Sequence, residues 1–471
     1  MNGTLLGISV YILGQLLIGV LVSKRIATED DYLLAGRRIG FGMGTFTVFA
    51  TWFGAETCIG AAGSIYQHGL SGGSSDPFGY AACLFLMGLF FAVPLWRRRL
   101  TTLADLFRQR YCPQVEKLVV LMIAPTSIIW AGAQIRAFGQ VISASSEFDV
   151  DVAIGLAAAV VIFYTVYGGL LADVVTDCVQ GVALIIGLGV FFYVIMQTNG
   201  GVIATLDAAG MERLNPFGGN KSPVEILEAW AIPITGSLFA QELVSRILAS
   251  HSPRVARAAT LSGGTLYLMV GLMPVLIGLA GMQMMPGLEN PEQILPKLAQ
   301  RHLSGLLYIL FAGALISAIL STVDSALLAA ASLVSHNLIV PLSGTVSERG
   351  KVRIARISVV TFGLIAYALA LVSEGVHSLV EEASAFGGAG VFVVILFALF
   401  TSIGKSKSAI AALLGGILSW VAGHHFLDLA TPYLISMAVA LAAYLLVAIT
   451  EHFAFKSINN DPSTCSNRSK A

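Results

Sequence analysis

The amino-acid sequence predicts an all-α membrane protein that crosses the bilayer about thirteen times and carries no soluble domain. Three observations predict it. Of the 471 residues 56% are hydrophobic and only 11% charged, whereas soluble domains carry roughly 25% charged residues. Apolar runs of about 20 residues, the length that spans a hydrocarbon core of about 30 Å, recur along nearly the whole chain. Lys and Arg gather in alternate loops, as they do on the cytoplasmic side of membrane proteins.

The runs fall near 4–22, 41–66, 78–96, 117–144, 150–169, 173–198, 225–249, 257–283, 303–340, 352–373, 377–400, 408–425 and 431–455. The first has no basic residue ahead of it and Lys24 and Arg25 behind it, the reverse of a secretory leader. It reads as a retained helix with its N-terminus outside, which fixes the side of every later loop. On that layout 22 of the 27 Lys and Arg lie inside, Arg136 lies within a span, and Arg213, Lys221, Lys297 and Arg301 remain outside. One helix more or fewer midway would scramble the asymmetry. The expected location is the cell (inner) membrane, multi-pass, with a cytoplasmic C-terminus. The polar tail, 457–471, reads as disordered.

A formal net charge of zero gives no global field pointing to nucleic acid. Cys58, Cys83, Cys112, Cys178 and Cys465 are far apart with no CxxC spacing, which argues against a metal cluster or a disulfide framework. No nucleophile–base motif stands out, and His336, His424 and His425 fall near span ends, so an enzyme is not expected. The expected partners are the lipid bilayer and a small-molecule solute, with no nucleic acid and no obligate protein partner.

Irregular backbone is tolerated at membrane depth only where it lines a cavity or is buried in protein, so interrupted spans mark candidate sites. In 41–66, Gly54, Gly60 and Gly63 punctuate a run that holds Glu56 and Thr57. In 225–249, Pro233 and Gly236 precede Gln241 and Glu242. Without the leading helix these are spans one and six, matching places in two sets of five, and each holds a carboxylate that is costly in hydrocarbon. That suggests a 5+5 inverted repeat, although glycine in either span alone is as well explained by close helix packing. Span 303–340 places Ser317, Ser321, Asp324, Ser325, Ser332 and Ser335 on one face with Thr322 beside it. Such hydroxyls, with carbonyls freed by a helix break, can replace water around a small cation, or they can equally bridge helices. In 173–198, Asp173 reads as a cytoplasmic helix cap and Asp177 lies deeper. Arg136 and the Glu242/Arg246 pair read equally as structural ion pairs. Trp52, Trp130 and Phe239 could box a cation or simply pack.

The stretches GTFTVFATWFGAE (44–56), YTVYGGLLADVVTDCVQG (164–181), VSRILASHSP (244–253) and LISAILSTVDSALLAAASLVSHNL (315–338) resemble the sodium:solute symporter family, from about Tyr11 to Lys407. The choline-transporter branch is the nearest in likeness. The resemblance implies a leucine-transporter-like fold: a leading helix and loop (1–40), a first repeat (41–200), an extracellular loop (201–224), a second repeat (225–400) and two trailing helices (401–456). It implies Na+ as coupling ion, held by the carbonyls of Ala55, Cys58 and Ala318 and the hydroxyls of Ser321 and Thr322, with Asp177 close by. It implies substrate contacts from Trp52 and Trp130, to which the reading of the interrupted spans adds Glu56, Thr57, Phe239, Gln241 and Glu242 as candidates. The function it implies is sodium-coupled import of a small organic solute, an amine, amino acid or other zwitterion, by alternating access. A proton-coupled symporter using Asp177, or a transporter-like solute sensor, are the alternatives.

Overall fold

The computed structural model describes residues 3–459 except 25, 145, 147, 219, 220, 374 and 387; most of the tail expected to be disordered, 460–471, lies outside them. The described residues form helices joined by short connections. A single isolated bridge, Ile39 to Ser250, ties the connections that lead into and out of the two interrupted helices.

The helices that position the site are α1 (Gly3–Ser23), α2 (Phe41–Trp52), α3 (Ala61–His68), α4 (Pro113–Ala144), α5 (Val150–Thr198), α6 (Pro223–Ala231), α7 (Gln241–Ala249) and α8 (Pro253–Met284). They continue with α9 (Gly305–Val334), α10 (Glu348–Val372), α11 (Val376–Ala385), α12 (Gly388–Phe400), α13 (Ser406–Val421) and α14 (Pro432–Asn459). Nine helical stretches among the described residues are long and apolar enough to cross a membrane. Two of them, 56–97 and 150–198, are far longer than one crossing needs. The extracellular loop expected at 201–224 contains a helix of its own, Val202–Arg213.

The second long stretch doubles back on itself. Within α5, Gly169 takes φ 55° and ψ −178°, a backbone region open essentially to glycine alone. Past it, the Tyr164 hydroxyl meets that of Thr176; twelve residues of unbroken helix would hold them about 18 Å apart. A methyl group on Gly169 would also stand 2.7 Å from the ring of Tyr32. Gly169→Ala is therefore expected to cost roughly 1–3 kcal/mol, read as a lower unfolding midpoint in detergent; a variant that melts with the wild type would contradict this account of the bend.

Packing follows from which faces are apolar on one side and small on the other. Leu13 and Leu17 of α1 are 62% and 60% exposed, as expected of side chains whose solvent is lipid. The opposite face of α1 reaches inward, where Tyr11 bonds the Ser317 hydroxyl of α9. Helices α5 and α9 approach closely because α5 offers Gly187: a Cβ there would lie 2.6 Å from the Leu310 carbonyl. The centre of the bundle, where α2, α5, α7 and α9 meet, holds the polar groups.

Candidate functional site

Helix α2 stops at Trp52, and Phe53 and Gly54 are not helical before the chain resumes in the wide turn Glu56–Gly60 that leads into α3. The last four carbonyls of a helix have no amide partner within it, so this break frees carbonyls of α2 inside the bundle. Two of them meet α9. Ser321 Oγ lies 2.9 Å from the Ala50 carbonyl and 3.0 Å from that of Ala318. Thr322 Oγ1 lies 3.1 Å from the carbonyls of Thr51 and Ala318. Ser321 Oγ also lies 2.9 Å from the Ser317 carbonyl; each hydroxyl has one proton to donate, so two protons face four carbonyl oxygens and the cluster is rich in acceptors. The carbonyls that Ser321 and Thr322 reach are thus those of Ala50 and Thr51, not those of Ala55 and Cys58. The reason is where the helix ends: 50 and 51 lie in its frayed last turn, whereas 55 and 58 begin the next segment, whose Cys58 amide already returns to Gly54.

One helical turn further along α9 the polarity becomes ionic. Arg246 of α7, 2% exposed, pairs with Asp173, donates to Ser325 Oγ at 2.5 Å and lies 3.7 Å from Asp177. Asp177 also accepts from Thr47 of α2 at 2.5 Å. Asp324 adds a third buried carboxylate, with one oxygen on the Ser325 amide. The surface cap expected of Asp173 is therefore a buried ion pair, and Arg246, one of the 22 basic residues counted inside, is buried in the bundle. Its contact with Glu242 runs to that residue's backbone carbonyl, because the side chain turns toward the two aspartates of α5.

On the other side of the break stand the aromatic rings. Trp130 of α4 lies 6.0 Å from both Trp52 and Tyr80, centroid to centroid. Glu56 is buried beside them, and its partner is neutral: Gln134 donates to its Oε2 at 2.6 Å while accepting from the Ala55 amide at 2.9 Å. One amide side chain on α4 thereby pins the interrupted strand of backbone. Asp76, also buried, accepts from Thr57 at 2.8 Å and from Tyr267 at 2.6 Å. Two buried carboxyl groups near one another, with neutral partners, thus stand beside the rings.

The second interruption runs over Ser237–Ala240, between the wide turn Ile232–Gly236 that ends α6 and the start of α7. A small cavity here, about 30 Å³ and so large enough for a water molecule, is lined by Trp130, Ser237, Phe239, Glu242, Ser384 and Phe392. Phe239 packs edge-on against Phe91 at 5.0 Å. Gln241 does not line it: its carbonyl accepts from the Leu103 amide at 2.8 Å and its nitrogen serves Ser245. As the first residue of α7 it points out of the break toward the neighbouring connection. Gln134, Asp76, Tyr267 and Arg246 escaped sequence reasoning as members of these clusters. Asp76 fell between two spans, and an isolated Gln or Tyr inside an apolar run carries no signal in a single sequence.

At the end of the bundle where α9 continues to His336, charged groups interlock the connections. His336 Nδ1 lies 2.9 Å from Glu29, Lys351 lies 3.4 Å from Glu29, and Asn337 donates to Asp105 at 2.8 Å. Burial pushes the Glu29 carboxyl up, but the hydrogen bond and charge of His336, helped by Lys351, hold it below its usual range. Asp105 is likewise raised by burial and brought lower overall by His336 and by the Thr102 and Thr101 amides. Groups held low stabilise the fold above the ordinary carboxylate range of about 4 and lose that contribution as pH falls through the folded-state value. The unfolding midpoint is expected to be insensitive to these two groups near neutrality and to fall in acid, with a shallower acid limb in Glu29→Gln; an unchanged acid limb would remove the network from the account.

An apolar helical bundle with two interrupted helices, and with carbonyls, hydroxyls and carboxylates gathered where they break, is the architecture of a secondary transporter. The chain belongs to the sodium:solute symporter family, whose model matches residues 32–416. It is 26% identical over 442 residues to the human high affinity choline transporter 1, covering 89% of this chain and 76% of that protein. It is also 26% identical over 454 residues to a Staphylococcus aureus sodium/proline symporter, covering 89% and 86%. Its fold superposes on a Na+-coupled sialic acid symporter in a substrate-bound outward-open state with a TM-score of 0.84 at 19% identity, over 95% of this chain and 98% of that one. The fold is leucine-transporter-like, and the protein is a sodium-coupled symporter of a small organic solute rather than an enzyme.

Proposed function

We propose that sodium binds among the Ala50, Thr51 and Ala318 carbonyls and the Ser321 and Thr322 hydroxyls, and that the imported solute carries a positively charged nitrogen. The observation that carries the first half is the acceptor-rich cluster at the end of α2, where four carbonyls share two hydroxyl protons. A small hard cation takes such oxygens in place of its water. A bound ion there joins α2 to α9 and favours the arrangement in which the adjoining solute site is complete. Asp177 and its partners, one turn away, supply negative potential toward the same end of α9 rather than a ligand.

The second half rests on Glu56 and Asp76, buried with neutral partners beside Trp52, Trp130 and Tyr80. Rings attract a cation through their faces, and an ammonium group would offset the carboxylates. The relatives agree in chemistry, since choline is a quaternary ammonium and proline a zwitterionic amine. Phe239 and Glu242 complete the contacts on the side of the second break, and Thr57 on that of the first.

We infer an outside N-terminus, an inside C-terminus and inward transport, from the gathering of Lys and Arg in alternate loops. Membrane potential then contributes about 2.3 kcal/mol per charge per 100 mV, which at about 1.4 kcal/mol per tenfold concentrates solute roughly 40- to 50-fold for one sodium. Purified protein in liposomes, given an inward sodium gradient and a panel of labelled amines, amino acids, sugars and carboxylates, should accumulate a solute with a cationic nitrogen only when sodium is present. Accumulation driven by a pH gradient alone, or confined to neutral sugars, would overturn the proposal.

A further inference from the structure

A second, larger cavity lies beyond the first break, whose wide turn contributes Ile59 to its lining. It has about 430 Å³ of free space, within the size range of small-molecule sites. Its walls are the far end of α4, the connection 290–300 and the first turns of α9. Two cations face it. Arg136 gives one guanidinium hydrogen to the Ala370 carbonyl at 3.0 Å, and its Nε has no hydrogen-bond partner in the structure. Lys297, half-buried, forms no ion pair among the described residues. One acid, Glu292, is also in the lining, so the walls carry a net positive charge. The amides of Gln140 and Gln300 supply further donors, while Tyr308 and Phe311 make an apolar side.

We infer that this cavity is a binding site for a small organic carboxylate, held by Arg136 and Lys297 with its apolar body against Tyr308 and Phe311. A guanidinium N–H and a lysine that have no hydrogen-bond partner and no ion pair, respectively, among the described residues are matched by an anion, and a planar carboxylate suits the guanidinium fork. The floor reaches Leu315, three residues and so about 4.5 Å of helix before Ala318. An occupant would therefore sit directly above the proposed sodium cluster, on the face we infer to be extracellular. The transported solute pausing on its way in, or a separate effector, would present the same carboxylate.

Phenylacetate, 2-phenylethanol and phenethylammonium share one body and differ in head charge. With purified full-length protein in nanodiscs, phenylacetate should raise the unfolding midpoint in a saturable manner, and the other two should not. Arg136→Gln and Lys297→Gln should each weaken phenylacetate at least tenfold; should the first misfold, the second, on a connecting segment, still tests the site. Equal stabilisation by all three probes, or wild-type phenylacetate affinity in Lys297→Gln, would overturn the inference. Sodium-driven uptake by the wild-type protein in the same preparation, measured beside phenylacetate binding, separates failure of this site from failure of the symport reading. Phenylacetate lacks the cationic nitrogen proposed for the cargo, so it should bind without accumulating under a sodium gradient; accumulation would keep this site and overturn the cationic-nitrogen half of the proposed function.

Discussion

Valine in place of Thr322 should raise the sodium concentration for half-maximal uptake by roughly 10- to 150-fold. The substitution keeps the shape of the side chain and removes one oxygen that contacts the Thr51 and Ala318 carbonyls at 3.1 Å. A bond to a charged partner contributes about 1.5–3 kcal/mol, and each 1.4 kcal/mol is about tenfold. Ser321→Ala removes the oxygen facing Ala50 and Ala318 and should act similarly. The measurement is the sodium dependence of uptake in liposomes, with the unfolding midpoint in sodium-free buffer as the control for folding. If sodium activates Thr322→Val at the wild-type concentration, the ion is bound elsewhere.

Loss of Arg246 should be the most damaging single change to stability. Its guanidinium is the cation among Asp173, Asp177 and Asp324, all buried. Removing one side of a buried charge pair typically costs about 3–5 kcal/mol because the other side stays behind without compensation. Arg246→Met should therefore unfold at a markedly lower temperature or fail to accumulate in the membrane. Adding Asp173→Asn to it should recover part of the loss, since that removes one uncompensated charge. A double variant less stable than Arg246→Met alone would show that the carboxylate is held by something other than this arginine. Arg246 also meets Thr47 of α2 and Ser325 of α9, so its loss should impair transport beyond the loss of folded protein.

Much of the architecture could be read from apolar run lengths, because the bilayer imposes one length on every crossing and leaves charge in the loops. The two interruptions were legible as well: Gly54 and the Pro233–Gly236 stretch are poor helix formers in spans that also hold carboxylates. Helical spacing drew attention to the serine face of α9, while Ser321 and Thr322 as a pair were singled out by the family resemblance. What the sequence could not give was register across the gap. Which carbonyls are freed depends on the peptide at which α2 ends, and that is decided by packing around Trp52 and Phe53 rather than by the pattern of residue types. Partners from distant segments were hidden for the same reason. Asp173 looked like a surface cap because its mate, Arg246, is 73 residues away, and Gln134 looked like one stray amide until the break came to rest on it.

The one-residue bend at Gly169 has a mechanical consequence. Two long rods joined at a single residue, with the ring of Tyr32 wedged against the joint, behave as one stiff bracket and have no slack to swing separately. With α5 as such a frame, a change of opening is expected to be taken up at the non-helical joints 53–54 and 237–240.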